Sequence, residues 1–193
     1  DEQAVGKGLP DDGLNGWLTT MSGSSAVLLG LLLGGMMAVD MGGPVNKAAY
    51  VFGTGTLATT ITTGGSAAMA AVMAGGMVPP IAIALSTTLF KNKFTKEEKD
   101  AGLSNYVMGL SFITEGAIPY AASDPTRVIP ANIVGSAIAG ALTMLFGIKI
   151  PAPHGGILVM FLSNNFVMYF IAIVIGAVVS ALLLGILKKK ISE

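Results

Sequence analysis

Cysteine is absent from this sequence of 193 residues, and histidine occurs once, at position 154. Without cysteine, the chain cannot contain a disulfide bond, a thiolate metal site or a cysteine nucleophile. One histidine makes no convincing metal site by itself, so we predict no metal and no other cofactor. The formal net charge is zero, and no basic surface indicates a nucleic-acid partner.

Charged residues are also few, at 11% of the chain, whereas 52% of the residues are hydrophobic and the mean hydropathy is +0.72. Asp, Glu, Lys and Arg are missing from 13–39, 48–90, 128–148 and 150–187. Each stretch is longer than the roughly 20 residues that cross a hydrocarbon core. The composition therefore predicts an all-α polytopic membrane protein surrounded by lipid.

The beginning of the chain differs from the rest. Residues 1–16 are polar and acidic, which indicates a juxtamembrane segment, and Trp17 follows where an interfacial aromatic anchor is expected. Acidic residues in place of a basic segment argue against a signal peptide. Because the first residue is Asp1 and not methionine, we expect a piece of a longer protein.

Glycine and proline interrupt the apolar stretches. Gly30 and Gly34 have the GxxxG spacing that lets helices approach closely, either in ordinary packing or in a dimer interface. Pro79 and Pro80 remove two donors in succession, so their helix should be kinked or split. Backbone that is unwound at membrane depth must be buried in protein or line a wet cavity. We therefore predict transmembrane helices combined with broken helices and re-entrant hairpins.

Two lysine-rich segments predict the orientation. The positive-inside rule places a loop at 91–104 and the C-terminus, with its lysines at 188–190, in the cytoplasm. Three apolar blocks lie between them (105–122, 128–149 and 157–187), and an even number must cross. The first block contains a glutamate among glycine and proline, so it is the expected re-entrant hairpin, although 151–165 could also dip and return.

The ionisable residues in the apolar part of the chain adjoin glycine or proline breaks. A charge at the bilayer centre costs about 2.5 to 3.5 kcal/mol, so such residues are expected to face a cavity or a partner. Six residues follow this pattern: Asp40, Lys47, Glu115, Asp124, Arg127 and His154. The pattern is typical of transporters whose sites are built from broken helices.

Three interpretations follow for these residues, and two of them keep an alternative. Glu115, in LSFITEGAIPY, is predicted to be a substrate ligand or proton acceptor, unless a helix end or Arg127 satisfies it. Asp124 and Arg127 have i, i+3 spacing and are expected to form a structural pair. His154, in PAPHGG, is predicted to be a ligand, unless it is a structural histidine.

Four segments carry a resemblance to a known family, in the order AVDMGGPVNKAAYVFG, GMVPPIAIAL, LSFITEGAIPYAASDPTRVIP and APHGG. They closely resemble the membrane permease domain (enzyme IIC) of the fructose family of the bacterial phosphoenolpyruvate-dependent sugar phosphotransferase system. The resemblance covers about the second half of that permease. Residues 17–193 would then be its C-terminal half.

The resemblance implies a transporter that binds fructose and moves it across the bacterial inner membrane, coupled to phosphorylation by phospho-IIB. Glu115 would be the catalytic residue, and sugar would contact Glu115, His154, Asn46, Asp40 and Lys47. The implied partners are the sugar, phosphorylated IIA and IIB, the N-terminal half of the permease and a second copy in a homodimer. An ion-coupled or facilitative sugar transporter without phosphoryl transfer, and an inert fragment lacking its N-terminal half, remain alternatives. The choice of hexose stays open.

Overall fold

A computed structural model describes residues 24–191, and the predicted juxtamembrane segment with Trp17 lies outside this range. Within it the chain is mainly helical, and the β contact found there is one isolated bridge between Ser66 and Ile150. The helices are α1 Ser24–Val39, α2 Pro44–Thr60, α3 Ala67–Leu89, α4 Lys96–Leu110, α5 Ile118–Ser123, α6 Pro125–Leu145, α7 Ile157–Met160 and α8 Phe166–Leu187. Short 3-10 turns occupy Ile61–Thr63, Lys91–Lys93 and Thr114–Ala117.

Three of these helices, α3, α6 and α8, are long and apolar enough to cross a membrane. The predicted fold class is therefore confirmed: this is an all-α polytopic membrane protein with broken helices. Helix α3 forms the centre and contacts α1, α2, α4, α6 and α8. It runs without interruption through Pro79 and Pro80, so it is not split there.

Helix α1 packs against α6 through small residues. A Cβ added at Gly34 would clash with the Ser136 carbonyl oxygen, and one at Gly30 would clash with the Gly140 carbonyl oxygen. Glycine permits this close backbone contact because it has no side chain. The GxxxG pair thus serves packing within the chain.

Residues 96–123 form a helical hairpin, which we call hairpin A. Helix α4 ends at Leu110, the chain turns at Phe112 with a φ of +64°, and the following segment returns along α4. The Tyr120 hydroxyl donates to the Glu98 carbonyl at 2.6 Å across the two arms. Both ends of hairpin A therefore lie at the same end of the bundle, as predicted for block 105–122.

This end of the bundle also carries the C-terminal end of α8. The Lys93 ammonium donates to the Gly185 carbonyl, and the Ile191 N–H donates to the Asn92 carbonyl at 2.9 Å. The two lysine-rich segments are thus neighbours, which agrees with an even number of crossings between them.

A second hairpin, residues 149–164, enters from the opposite end, and we call it hairpin B. Its two ends are joined because the Lys149 N–H donates to Asn164 Oδ1 at 2.9 Å. Its tip reaches hairpin A: Gly156 lies directly against the Leu110 carbonyl oxygen, and the His154 and Phe112 ring centroids are 4.9 Å apart. The two hairpins therefore meet tip to tip inside the bundle.

The predicted loop at 91–104 is shorter in the structure, because α4 already begins at Lys96. Thr95 caps this helix, since its hydroxyl accepts from the Glu98 N–H at 3.1 Å. The sequence TKEE has the spacing of a capping box, which favours a helix start over a continued loop.

Candidate functional site

A cavity of about 310 Å³ lies where the first turns of α2 meet the tips of both hairpins. The predicted residues Asn46, Lys47, Glu115 and His154 all line it, although they come from three distant segments of the chain. The remaining lining residues are Met37, Gly42, Tyr50, Phe112 and Thr114. Polar groups that converge on a concave, partly apolar site are typical of small-molecule binding.

The turn before α2 places Asn46 and Lys47 at this cavity. Gly42 has a φ of +106°, which glycine adopts readily, and Pro44 begins the helix, where its missing N–H costs nothing. The Asp40 carboxylate accepts from the Val45 N–H at 2.8 Å and from the Asn46 N–H at 2.9 Å. It therefore satisfies two of the donors that the first helical turn leaves free.

Asp40 itself lies apart from the other predicted sugar ligands. It lines a different cavity, of about 210 Å³, between α1 and hairpin A. With both carboxylate oxygens bonded to the start of α2, its place in the structure is that of a helix cap.

Asn46 is buried and Lys47 is exposed. The Asn46 side-chain Nδ2 donates to the Met37 carbonyl at 2.9 Å, which fixes the orientation of the amide. Its Oδ1, like the Lys47 ammonium, has no hydrogen-bond partner among residues 24–191. Asn46 can therefore accept from a bound hydroxyl, and Lys47 can donate to one.

The Glu115 side chain is exposed to the cavity. In the part of the chain that the structure describes, it makes neither a hydrogen bond nor an ion pair. Arg127 does not reach it: its Nη1 lies 3.1 Å from Asp124 Oδ1, and Lys188 Nζ lies 3.4 Å from Asp124 Oδ2. The carboxylate is thus available to a ligand.

His154 is also exposed and belongs to the tip of hairpin B, where Gly155 and Gly156 have φ values of +122° and +58°. These glycines turn the chain so sharply that no helix can continue through the segment. Contact between the imidazole and the Phe112 ring holds the histidine against the cavity wall, and its ring nitrogens can bond a ligand.

Sequence reasoning missed Tyr50, Phe112 and Thr114. Tyr50 follows Asn46 by four residues on α2, and this i, i+4 spacing could have placed it on the same face. Its ring centroid lies 6.3 Å from that of Phe112, so the two rings form an apolar wall. Thr114 bonds a residue 38 positions away, and no local pattern reveals that contact.

A second cavity, of about 450 Å³, lies on the other side of Glu115, between the two arms of hairpin A. Glu97, Glu98 and Asn105 contribute to its polar lining. Asn105 is 2% exposed, and its Oδ1 has no hydrogen-bond partner within 24–191. Glu115 therefore faces two cavities, of which only the first contains Lys47 and His154.

Comparison with known proteins gives matches over nearly the whole chain. It is 55% identical to the PTS system fructose-specific EIIABC component of Bacillus subtilis (strain 168), over 93% of this chain and 28% of that protein. It is 53% identical to the fructose permease IIC component of Bacillus amyloliquefaciens, over 93% of this chain and 58% of that protein. It is 50% identical to the PTS system fructose-specific EIIB'BC component of Escherichia coli (strain K12), over 92% of this chain and 31% of that protein.

No protein-family profile and no solved structure matches the chain. The chain spans between 28% and 58% of the length of these three relatives. Identity of about half, with the TEG glutamate and the PHGG histidine meeting at one cavity, is consistent with the resemblance of the sequence motifs. The chain belongs to the fructose family of IIC permease components of the phosphotransferase system.

Proposed function

We propose that this chain binds fructose in the 310 Å³ cavity and takes part in its translocation, coupled to phosphorylation by phospho-IIB. The observation that supports this best is the Glu115 carboxylate, which faces the cavity without a partner of its own among residues 24–191. The Asn46 amide, the Lys47 ammonium and the His154 imidazole line the same cavity. Together with the carboxylate they can both accept from and donate to the hydroxyls of a sugar.

The size and lining of the cavity agree with a hexose. Its volume of about 310 Å³ lies at the lower end of the range for small-molecule sites. Glu115 accepts from hydroxyls, Lys47 donates to them, and Asn46 and His154 complete the contacts. The Tyr50 and Phe112 rings offer an apolar surface to the C–H face of the sugar.

In this proposal Glu115 acts as the general base. The primary hydroxyl oxygen of the sugar attacks the phosphorus of phospho-IIB in line, and the bond between phosphorus and the IIB cysteine sulfur breaks. The hydroxyl proton passes to the Glu115 carboxylate, and the IIB thiolate leaves with the electron pair. Holding the hydroxyl beside a carboxylate is the main contribution of this chain, since phosphoryl transfer depends chiefly on positioning.

The phosphoryl group must come from a domain or subunit outside these 193 residues. This chain has no cysteine, so the phosphocysteine belongs to IIB, which IIA charges. The relatives from Bacillus subtilis and Escherichia coli carry A or B components in one chain with C, which supports IIB as the partner. IIB docks at the end of the bundle where the lysine-rich segments meet.

The same lysines support the orientation. By the positive-inside rule the bundle end with Lys93 and Lys188 faces the cytoplasm, so the protein is a multi-pass inner-membrane protein with a cytoplasmic C-terminus. The relatives are longer than this chain, so the working unit includes the N-terminal half of the permease, and we expect a homodimer.

The test is phosphorylation of labelled fructose by native membranes that contain the protein, supplied with phosphoenolpyruvate, the general carriers, IIA and IIB. Glu115→Gln should lower kcat at least about 100-fold, the contribution typical of a general base, and it should bind fructose less tightly. His154→Phe keeps the ring contact but should raise KM. Fructose uptake that needs no phosphoryl donor would contradict the coupling to phosphorylation. Full phosphorylation by Glu115→Gln would contradict the role of Glu115 as general base.

A further inference from the structure

Consecutive prolines in the middle of α3 leave two carbonyls without their helical donors. In an α-helix the N–H of each residue bonds the carbonyl four residues earlier, and proline has no N–H. Pro79 and Pro80 therefore free the carbonyls of Gly75 and Gly76. All four residues are buried, so such a carbonyl needs a donor from another part of the protein.

Thr114 supplies that donor to Gly76. Its Oγ1 donates to the Gly76 carbonyl at 2.7 Å, and the bond is buried. The Phe112 ring packs on the same glycine so closely that a Cβ there would clash with it. The tip of hairpin A is thus fixed to α3 at one point by a hydrogen bond and a ring contact.

The position of the Glu115 carboxylate depends on this attachment, because the side chain has no hydrogen bond or ion pair of its own in the described range. Its backbone lies within the turn Thr114–Ala117, where its carbonyl accepts from the Ile118 N–H, so the carboxylate moves with the turn that Thr114 begins. Two residues before Thr114, Phe112 has a φ of +64°, a conformation that non-glycine residues keep only when their surroundings hold them in it. Loss of the Thr114 bond would let the tip relax and move the carboxylate.

We propose that Thr114 is a positioning residue for Glu115, and that it acts through the Gly76 carbonyl that Pro80 frees. The catalytic meaning of this role rests on the proposed function, but the placement of residue 115 can be measured without any sugar. Thr114→Val keeps the shape of the side chain and removes the donor. Thr114→Ser keeps the donor and removes a methyl group.

The placement can be read from thiol labelling. Because this chain has no cysteine, Glu115→Cys introduces one thiol into it, and mass spectrometry of the peptide around 115 gives its rate of reaction with a water-soluble maleimide. Thr143→Val is the matched control. Thr143 is as buried as Thr114, but its hydroxyl donates within its own helix, to the Gly140 carbonyl at 2.7 Å.

Thr114→Val should change the labelling rate about tenfold, because a buried carbonyl loses its donor. Thr114→Ser and Thr143→Val should change it less than about twofold, since a donor stays on Gly76. Adding Pro80→Ala restores an N–H that can bond the Gly76 carbonyl within α3. In that background the effect of Thr114→Val should fall below about threefold.

Phosphorylation of fructose is then measured with Glu115 intact. Thr114→Val should lower kcat about tenfold, and Thr114→Ser should restore most of it. An unchanged labelling rate in Thr114→Val, an equal change in Thr143→Val, or an effect that Pro80→Ala does not reduce would overturn the positioning role. If the unchanged protein fails to phosphorylate fructose, the proposed function falls, while the labelling result still decides the role of Thr114.

Discussion

The backbone N–H of Asn46 donates a hydrogen bond of 2.9 Å to Oδ1 of Asp40. This bond, with its neighbour from Val45, means that the carboxylate stabilises the start of α2 and thereby sets the positions of Asn46 and Lys47. The contribution of Asp40 to the site is therefore indirect.

Substitution at Asp40 should affect stability more than sugar binding. Asp40→Ala removes a helix cap and should lower the free energy of unfolding by about 1 to 2 kcal/mol. Asp40→Asn keeps one acceptor oxygen and should change KM for fructose by less than about threefold. Thermal unfolding in detergent and initial-rate kinetics measure the two effects. A large loss of fructose affinity in Asp40→Asn at unchanged Tm would instead make Asp40 a sugar ligand.

Gly42→Ala should damage activity beyond its effect on stability. Its φ of +106° strains any residue with a side chain, and an added Cβ would lie 3.0 Å from Glu115 Oε1. Gly64→Ala is the matched control, because Gly64 has a similar φ of +101° but open space around it. Both variants should lose about 1 to 2 kcal/mol of stability.

Only Gly42→Ala should also lower kcat/KM for fructose, by about tenfold or more, since it displaces the carboxylate that we propose as the general base. Equal kcat/KM values for the two variants would show that the close approach of Gly42 to Glu115 does not affect activity.

Gly34→Ala and Gly35→Ala should differ although the residues are adjacent. A Cβ at Gly34 would clash with backbone of α6, whereas one at Gly35 would meet Ala137 Cβ at an ordinary 3.6 Å. We expect Gly34→Ala to cost about 1 to 3 kcal/mol and Gly35→Ala to be neutral. Chemical crosslinking should show the same oligomeric state for both. A dimer lost in Gly34→Ala without a drop in Tm would place this glycine in an interface between chains.

Asp124→Asn should destabilise the lysine-rich end of the bundle without affecting sugar binding. Asp124 faces both Arg127 and Lys188, so the variant leaves two cations beside a neutral side chain. Because these side chains are partly exposed, solvent screening limits the loss to about 1 kcal/mol. Asp100→Asn, at an exposed position, should change stability by less than about 0.5 kcal/mol. A raised KM for fructose in Asp124→Asn would contradict the structural assignment.

Composition was enough to predict the fold class, because long uncharged stretches of this kind form helices when lipid surrounds them. Parity between the two lysine-rich segments predicted that one block does not cross. The glutamate, glycines and proline of block 105–122 made it the expected hairpin, with 151–165 as an alternative. The start of α4 was missed although Thr95 and Glu98 have capping-box spacing, because the surrounding charges suggested a solvated loop.

The site was only partly predictable. Glu115, His154, Asn46 and Lys47 stand beside glycine and proline breaks, and those breaks turned out to line one cavity. Asp40 has the same sequence context, but its partners depend on the dihedral angles of the turn that follows it. The link from Thr114 to Gly76 needs the relative placement of α3 and hairpin A, which a single sequence does not contain.

The tip-to-tip meeting of the hairpins has a consequence for the shape of the cavity. The Phe112 and His154 rings, whose centroids are 4.9 Å apart, come from different hairpins and both line it. A small shift of either hairpin would therefore reshape the same stretch of wall, so the two distant segments of the chain are mechanically linked at the cavity.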